Sequence, residues 1–137
     1  MREIVDGTLW IGNARDARNL AGLAAAEITA VVDLADNERP AALAPGTTYL
    51  RFPLSDDGNN SPALLECCIA ILAELLRCDG QRLLVACSAG MSRSPAMTAA
   101  ALHRLGRGSL DECLEAVVRN APRDVSPSLW NAIVEIA

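Results

Sequence analysis

The sequence predicts an α/β fold in which a central, mostly parallel sheet of four to five strands is flanked by helices on both faces. Short β-branched runs alternate along the chain with Ala- and Leu-rich segments of helical spacing, which is the pattern of such folds. The run Leu83-Leu84-Val85-Ala86 is apolar throughout, as is typical of a strand buried on both faces. A length of 137 residues suffices for one core, so we expect a single domain over residues 1–137.

The individual elements follow from composition and capping signals. The predicted strands are residues 9–11, 29–34, 47–52 and 82–86. The predicted helices are residues 16–26, 62–77, 94–105, 109–120 and 126–137. Ser109 with Glu112 three residues later forms a capping box, and Ser-Pro pairs open two of the other helices. Ligands of parallel sheets bind beyond the carboxyl ends of the strands, so we expect the functional site there.

The charged residues limit the possible partners. The twelve cationic residues are all Arg, against seventeen Asp and Glu, and the net charge is −5. A nucleic acid or an anionic membrane binds to a broad basic field, which this chain lacks, so we expect neither partner. His103 is the only histidine, which excludes a two-Cys, two-His zinc site and limits any Ser/His triad to one that uses His103.

The cysteines indicate a reducing environment. Cys stands at positions 67, 68, 78, 87 and 113, an odd number without C-x-x-C spacing, which argues against a disulfide framework and a zinc ribbon. The first six residues lack the apolar run of a signal peptide, and the longest apolar stretch, residues 63–76, is interrupted by Glu66 and Glu74. We therefore expect a cytoplasmic protein in which the cysteines other than Cys87 serve packing.

The nine residues that join the last predicted strand to a helix, Cys-Ser-Ala-Gly-Met-Ser-Arg-Ser-Pro, carry most of the functional information. Cys87 and Arg93 are six positions apart, so a tight loop can curl around an oxyanion and bring the guanidinium beside the thiol. Gly90 can take a positive φ, which lets successive backbone N–H groups point into one concavity. A Cys at a strand end is by itself more often a core residue, but the helix N-terminus and the neighbouring Ser94 and Pro95 favour a phosphate-binding loop with a nucleophile.

The loop and its surroundings resemble the dual-specificity phosphatase branch of the cysteine-dependent protein tyrosine phosphatases. Residues 85–95 look like the signature loop of that family, and residues 52–56 resemble the loop that carries its general acid. Residues 9–14 with Asn19-Leu20, residues 31–34 and the segment from Pro127 onward are similar to its first strand and helix, its second strand and its closing helix. The resemblance covers almost the whole chain and implies a phosphatase-like fold.

The resemblance implies a role for each residue of the loop. Cys87 is the nucleophile, Arg93 is the bidentate clamp on the phosphoryl oxygens, and the hydroxyl of Ser94 stabilises the thiolate. The phosphate-binding residues are Ser88, Ala89, Gly90, Met91, Ser92 and Arg93. No metal and no other cofactor are implied. The family usually has His directly before the nucleophile, whereas this chain has Ala86, so we expect a thiolate that is still favoured but slower turnover or a shifted pH optimum.

A phosphatase of this kind needs a proton donor for the leaving oxygen, and Asp56 and Asp57 are the candidates. Both follow a predicted strand and lie at the sheet edge that is expected to hold Cys87. Their segment, Asp-Asp-Gly-Asn-Asn-Ser-Pro, also has the composition of a simple turn before a helix cap, and the residues alone leave the choice open. The resemblance favours Asp56, which lies three residues after Pro53 and thirty-one before Cys87.

We therefore expect a metal-independent protein phosphatase that hydrolyses phosphate monoesters through a phosphocysteine intermediate. Residues 88–92 include no cation that would match additional phosphates, which favours phosphotyrosine, phosphoserine or phosphothreonine in proteins, or a small monoester. An inactive or weakly active phosphate-binding adaptor is the alternative, motivated by Ala86, and sulfur transfer through a persulfide on Cys87 is a third. We expect a monomer that binds phosphate or another oxyanion in the loop.

Overall fold

One five-stranded sheet forms the centre of the computed structural model, which describes all residues from 1 to 137. Its strands are β1 (Arg2–Val5), β2 (Leu9–Gly12), β3 (Ala30–Ala35), β4 (Thr48–Leu54) and β5 (Leu83–Ala86). They lie in the order β1-β2-β5-β3-β4, with β1 antiparallel to β2 and all other neighbours parallel. The prediction of a mostly parallel sheet is therefore confirmed.

Five α-helices surround the sheet: α1 (Leu20–Ala25), α2 (Pro62–Arg77), α3 (Arg93–Arg104), α4 (Leu110–Val118) and α5 (Pro127–Ile136). The side chains of Ser61, Ser109 and Ser126 cap the N-termini of α2, α4 and α5, as their sequence patterns predict. The N-terminus of α3 has no side-chain cap and follows the loop from Cys87. None of the helices is both long enough and apolar enough to cross a membrane.

The sheet divides the core into two unequal parts, because alternate residues of a strand point to opposite faces. Leu9 and Val85 belong to a cluster of 24 buried residues that also includes side chains of α2, α3, α4 and α5. Trp10 and Leu84 belong to a cluster of seven on the other face, which α1 covers. Both faces are thus covered by helices, as a buried parallel sheet requires.

Two local predictions are wrong. The segment over residues 16–26 is not one helix, because Asn19 adopts φ −86° and ψ 87° and its side chain accepts a hydrogen bond from Gly22 N at 3.0 Å. This N-cap separates a 3₁₀ turn (Asp16–Arg18) from α1. The strand β1 is missing from the prediction because its residues form no continuous apolar run; it pairs with β2 across a turn at Gly7, where φ is +66°.

Four loops meet at one edge of the sheet. The parallel strands β2, β5, β3 and β4 all run in the same direction, so their carboxyl ends at Gly12, Ala86, Ala35 and Leu54 lie side by side. The residues that follow these ends include every catalytic candidate of the sequence. The strand order therefore brings together residues that are far apart in the chain.

Candidate active site

Cys87 follows β5 directly and lines a cleft of about 320 Å³. Its backbone N–H donates to Gly12 O at 3.3 Å, which fixes the start of the loop against the end of β2. The residue is only 2% exposed, and the N–H of Gly90 donates to its Sγ at 3.2 Å. The cleft thus ends on a sulfur atom that faces a backbone donor.

The turn of the loop requires a glycine at position 90. Gly90 has a φ of +76°, in the left-handed region that other residues rarely adopt. A Cβ at this position would lie 2.9 Å from Gly12 O, closer than real Cβ atoms come to a carbonyl oxygen. The loop is also held from outside, because Ala14 N donates to Ser88 O at 3.1 Å and Asp124 N donates to Met91 O at 3.0 Å.

The loop offers backbone donors that no protein atom accepts. Only the N–H of Gly90 is used, by Cys87 Sγ, while free N–H groups belong to Ser88, Ala89, Met91, Ser92 and Arg93. The last two of these residues are less than a tenth exposed, and the N–H groups of the first turn of α3 follow them. Donors collected at a helix N-terminus attract an anion. All five residues line the same cleft as Cys87, so five of the six predicted phosphate-binding residues lie together there; the sixth, Gly90, donates its N–H to Cys87 Sγ.

Arg93 is buried beside this loop with most of its donors occupied. Its Nη1 donates to Asp36 Oδ1 at 3.0 Å and to Leu54 O at 2.9 Å, and its Nη2 donates to Asn37 Oδ1 at 3.2 Å. Its Nε is buried and has no partner. The edge formed by Nε and Nη2 therefore retains the two parallel N–H donors that a bidentate contact with a phosphate requires.

The segment directly after β3 is a part of the site that the sequence analysis missed. Asp36 and Asn37 bind Arg93, Asn37 Nδ2 donates to Ser88 Oγ at 3.4 Å, and Ser88 Oγ donates to Glu38 Oε1 at 2.9 Å. Three consecutive side chains thus contact both ends of the phosphate-binding loop. The sequence carries no local signal for these contacts, which span 50 to 57 positions.

The structure separates the two acid candidates. Asp56 lines the cleft, and its Oδ1 accepts a hydrogen bond from Ser92 Oγ at 2.5 Å. Asp57 bonds within its own turn, where Oδ1 accepts from Ser55 Oγ at 2.7 Å and from Asn59 N at 2.8 Å. These contacts lower the pKa of Asp57, the one with Ser55 most strongly. Asp56 therefore lies in the cleft with Cys87, whereas Asp57 bonds within its own turn.

Ser94 and Ala86 lie on either side of the reactive segment, and neither side chain forms a hydrogen bond with the sulfur. Ser94 is fully buried, and its hydroxyl has no hydrogen-bond partner, so it makes no bond to Cys87 Sγ in this structure. Ala86 is fully buried in the smaller core cluster and pairs in register with Gly12 of β2 and Asp33 of β3. A methyl group thus stands where the resemblance implies a polar ring.

A buried hydrogen-bond network supports the segment after β3. The Tyr49 hydroxyl donates to Asp33 Oδ2 at 2.6 Å and accepts from Ala41 N at 3.0 Å, while Ala35 N donates to Asp33 Oδ1 at 3.1 Å. Burial, followed by the hydrogen bond to Asp33, raises the pKa of the Tyr49 hydroxyl. The network fixes both ends of the chain between β3 and residue 41, and so holds the residues that contact Arg93.

The remaining cysteines correct one expectation. Cys68 and Cys113 are buried packing residues, and burial raises the pKa of the Cys113 thiol and raises that of Cys68 to about 12. Cys67 and Cys78 are exposed, so their expected packing role is wrong. His103 lies in the last turn of α3, and its Nδ1 is 2.8 Å from the backbone oxygen of Gly108, which follows the helix. No group of three His, Cys, Asp or Glu is placed to hold a metal ion.

A mostly parallel sheet that presents a buried cysteine and an arginine on one anion-binding loop defines a protein of the cysteine-dependent phosphatase class. The family model for the dual specificity phosphatase catalytic domain matches residues 9–136. The chain therefore belongs to the dual specificity phosphatase family, which confirms the resemblance and supports phosphatase activity on phosphorylated substrates.

Individual relatives agree with this assignment. Mouse dual specificity phosphatase 28 is 37% identical over 122 residues, which are 88% of this chain and 73% of that relative. Three other curated relatives, from a fish and two frogs, are covered over 55%, 57% and 60% of their own length. The crystal structure of human DUSP28 has a TM-score of 0.84 and 29% identity over 99% of this chain and 94% of its own. A mouse chain assigned to the dual specificity phosphatases, solved in complex with zinc tungstate, has a TM-score of 0.83 and 32% identity over 98% of this chain and 84% of its own.

Proposed function

We propose that this protein is an active phosphatase that hydrolyses phosphate monoesters through a phosphocysteine intermediate on Cys87. The observation that carries the proposal is the set of unpaired donors around the buried thiol, namely the free loop N–H groups and the Nε of Arg93. Buried donors without partners are costly unless a ligand accepts from them. A phosphoryl group, with three oxygen atoms around phosphorus, is the ligand that such a set fits.

The reaction follows from these positions in two steps. The Cys87 thiolate attacks phosphorus in line with the leaving oxygen, a P–S bond forms, and the P–O ester bond breaks with its electron pair on the leaving oxygen. Arg93 and the loop N–H groups stabilise the negative charge on the three remaining oxygens. Water then attacks phosphorus, the P–S bond breaks, and phosphate and the Cys87 thiolate are released.

Asp56 is the proposed general acid and base. It lines the cleft that contains Cys87, whereas the carboxylate of Asp57 bonds to Ser55 and Asn59 within its own turn. In the first step Asp56 gives its proton to the leaving oxygen, and in the second step the resulting carboxylate accepts a proton from the attacking water. The number of protons on Asp56 is therefore the same before and after the cycle.

The charges around the cleft favour a substrate with a single phosphate. Arg93 is the only cationic residue that lines it, and Asp36 already faces this guanidinium. Asp56 and Asp124 also line the cleft, so a second phosphate would meet negative charge rather than another cation.

We propose that phosphotyrosine and phosphoserine or phosphothreonine in proteins are the substrates, since the cleft is small and open. We also propose that the protein acts as a monomer in the cytoplasm, where five unpaired cysteines would stay reduced.

A phosphate-binding adaptor without turnover is the second candidate. The observation that favours it is Ala86, which gives the loop no polar side chain directly before Cys87 and packs in an apolar cluster. An adaptor would bind phosphorylated peptides through the same N–H groups and the same arginine. The presence of both Cys87 and Asp56 in one cleft favours the enzyme over the adaptor.

The test combines turnover with direct detection of the intermediate. Release of para-nitrophenol from para-nitrophenyl phosphate is measured for the wild-type protein over a range of pH. In a second assay the protein reacts with a phosphopeptide that carries radioactive phosphate, and the reaction is quenched rapidly so that labelled protein can be detected. The substitution Cys87→Ser is expected to abolish both signals while leaving the calorimetric binding of phosphate largely intact. The exposed Cys67 of α2 offers a matched control, because Cys67→Ser makes the same chemical change away from the cleft and should leave both signals unchanged.

Each outcome decides between the candidates. Turnover by the Cys87→Ser variant at the wild-type rate would reject the phosphocysteine mechanism. Phosphopeptide binding by the wild-type protein without any release of phosphate would establish the adaptor instead. Sulfur transfer from thiosulfate to cyanide without release of phosphate would indicate a persulfide on Cys87.

A further inference from the structure

The only hydrogen-bond partner of the Asp56 side chain is a hydroxyl of the phosphate-binding loop. Ser92 Oγ donates to Asp56 Oδ1 at 2.5 Å, a short distance for a hydrogen bond between a hydroxyl and a carboxyl oxygen. Ser92 directly precedes Arg93 in the chain and is 8% exposed. The loop that surrounds the phosphate site therefore also determines where the carboxyl group of Asp56 lies.

The direction of this hydrogen bond is fixed from the other side. Ser126 N, at the start of α5, lies 2.8 Å from Ser92 Oγ. A backbone N–H can only donate, so Ser92 accepts there and its single proton is available for Asp56. Hydrogen bonds in such a chain polarise one another, which strengthens the bond to the carboxylate.

We propose that Ser92 is the positioning residue of the general acid, which it holds in the cleft by donating to Asp56. This inference rests on the proposed function, because it concerns the proton transfer to the leaving oxygen. That transfer turns the Asp56 carboxylic acid into a carboxylate, and the Ser92 hydroxyl donates to the carboxylate. The contact is therefore stronger after proton transfer than before it, and an interaction that strengthens toward the transition state accelerates the step.

Other contacts attach α5 to the loop, so Ser92 is not required as a structural anchor for this helix. Ser126 Oγ accepts from Leu129 N at 3.3 Å and so caps α5 without help. Asp124 N donates to Met91 O at 3.0 Å and connects the same segment to the loop. Ser92→Ala removes the hydrogen bonds of Ser92 Oγ to Asp56 and to Ser126 N, but both of these other contacts remain and keep α5 capped and attached to the loop.

The test uses the dependence of rate on the leaving group. The variants Ser92→Ala and Ser92→Thr are compared with the wild-type protein on aryl phosphates that range from nitrophenyl to unsubstituted phenyl. A nitrophenolate departs readily without a proton, whereas a phenolate without the nitro group needs the acid more. We expect Ser92→Ala to lower kcat by less than about threefold on the nitrophenyl ester and by about 10- to 100-fold on the phenyl ester, because a misplaced acid loses most of its effect. Ser92→Thr, which retains the hydroxyl, should restore the rate on the phenyl ester.

Two controls separate positioning from folding. Ser109→Ala removes the N-cap of α4, a helix that contributes no residue to the cleft, and should affect the two esters equally if at all. In the background of Asp56→Asn, the additional change Ser92→Ala should cost nothing further, because the carboxylate that Ser92 serves is already gone. The calorimetric affinity for phosphate should be the same in Ser92→Ala and the wild-type protein within about threefold, since the free N–H groups of the loop remain.

The outcomes distinguish this inference from the proposed function. If the wild-type protein hydrolyses no ester at all, the proposed phosphatase function fails, and the role of Ser92 fails with it. An active wild-type protein whose Ser92→Ala variant loses the same factor on every leaving group would overturn the role of Ser92 alone. The same conclusion would follow if Ser92→Ala lowered kcat by the same factor in the background of Asp56→Asn as in the wild-type protein. Loss of phosphate binding in Ser92→Ala would also overturn the positioning role.

Discussion

Substitution of Arg93 by Lys keeps the positive charge but removes the planar set of donors that the cleft contains. In the structure Nη1 contacts Asp36 and Leu54 O, Nη2 contacts Asn37, and the edge that carries Nε is left for the phosphate. An ammonium group has one nitrogen atom and cannot reach the wall of the cleft and the phosphoryl oxygens at the same time.

The expected loss follows from the number of bonds removed. A hydrogen bond to a charged group contributes about 1.5–3 kcal/mol, and the Nε and Nη2 edge can form two of them with the phosphoryl group. Since the retained charge of Lys recovers a part of this, we take the lower limit of about 3 kcal/mol, which corresponds to a decrease in kcat/KM of about 100-fold. The affinity for phosphate should fall as well, because the ground state also uses this edge.

The assay is kcat/KM on para-nitrophenyl phosphate together with calorimetry of phosphate, at a temperature well below the unfolding transition of both proteins. Arg123 provides the matched control, because it is exposed and pairs with Glu115 on the surface, so Arg123→Lys should change neither quantity by more than about twofold. An Arg93→Lys variant with kcat/KM within about threefold of the wild type would refute the assignment of a bidentate clamp.

Three further predictions concern the acid, the turn and the buried network. Asp56→Asn should lower kcat on phenyl phosphate by about 100-fold, whereas Asp57→Asn should change it by less than about twofold, and steady-state rates check both. Gly90→Ala places a side chain at φ +76° and at 2.9 Å from a carbonyl oxygen, so phosphate binding should be lost and urea unfolding should show about 2 kcal/mol less stability; unchanged binding would contradict this. Tyr49→Phe leaves the buried Asp33 without its hydroxyl donor and should cost about 1–3 kcal/mol at neutral pH. Because the fold raises the pKa of the Tyr49 hydroxyl above 10.0, its protonated form stabilises the native state. In the wild type this contribution to the free energy of unfolding should be lost as the pH rises from 10 through the raised pKa, whereas Tyr49→Phe should show no such loss.

Features of the fold that depend on neighbouring residues could be predicted from the sequence. The bounds of α2 agree residue for residue with the prediction, because a Ser-Pro pair opens the helix and the Asp-Gly pair after it favours a turn. The junction of β5, the loop and α3 is also local, so the placement of Cys87 and Arg93 in one cleft follows from their spacing. The chemical roles of these residues, and that of Ser94, stay predictions until the variants are measured.

Features that depend on a competing local contact could not be predicted from the periodicity of apolar residues. The side chain of Asn19 bonds Gly22 N and interrupts a segment that otherwise has helical spacing. The strand β1 has only partly buried or exposed residues, so its alternation is weak, and it is defined by its pairing with β2. In both cases the pattern of apolar residues describes burial, whereas the observed structure is decided by hydrogen bonds.

The largest omission of the sequence analysis, the segment Asp36-Asn37-Glu38, follows from the order of the strands. These residues resemble an ordinary polar loop, and no spacing rule connects them with Arg93 or Ser88. Their function arises because β3 and β5 are neighbours in the sheet, with Asp33 in register with Ala86, so the loops that follow the two strands must touch. Polar residues placed there bind the arginine and the first serine of the phosphate loop without being near them in the chain. The same reasoning explains the contact between Ser92 and Asp56. Because β4 lies beside β3 and runs parallel to it, Asp56, which follows β4, reaches the same sheet edge as the loop after β5. In a parallel sheet of this kind, the residues that support a recognised loop are therefore to be sought immediately after the neighbouring strands, whatever their distance in sequence.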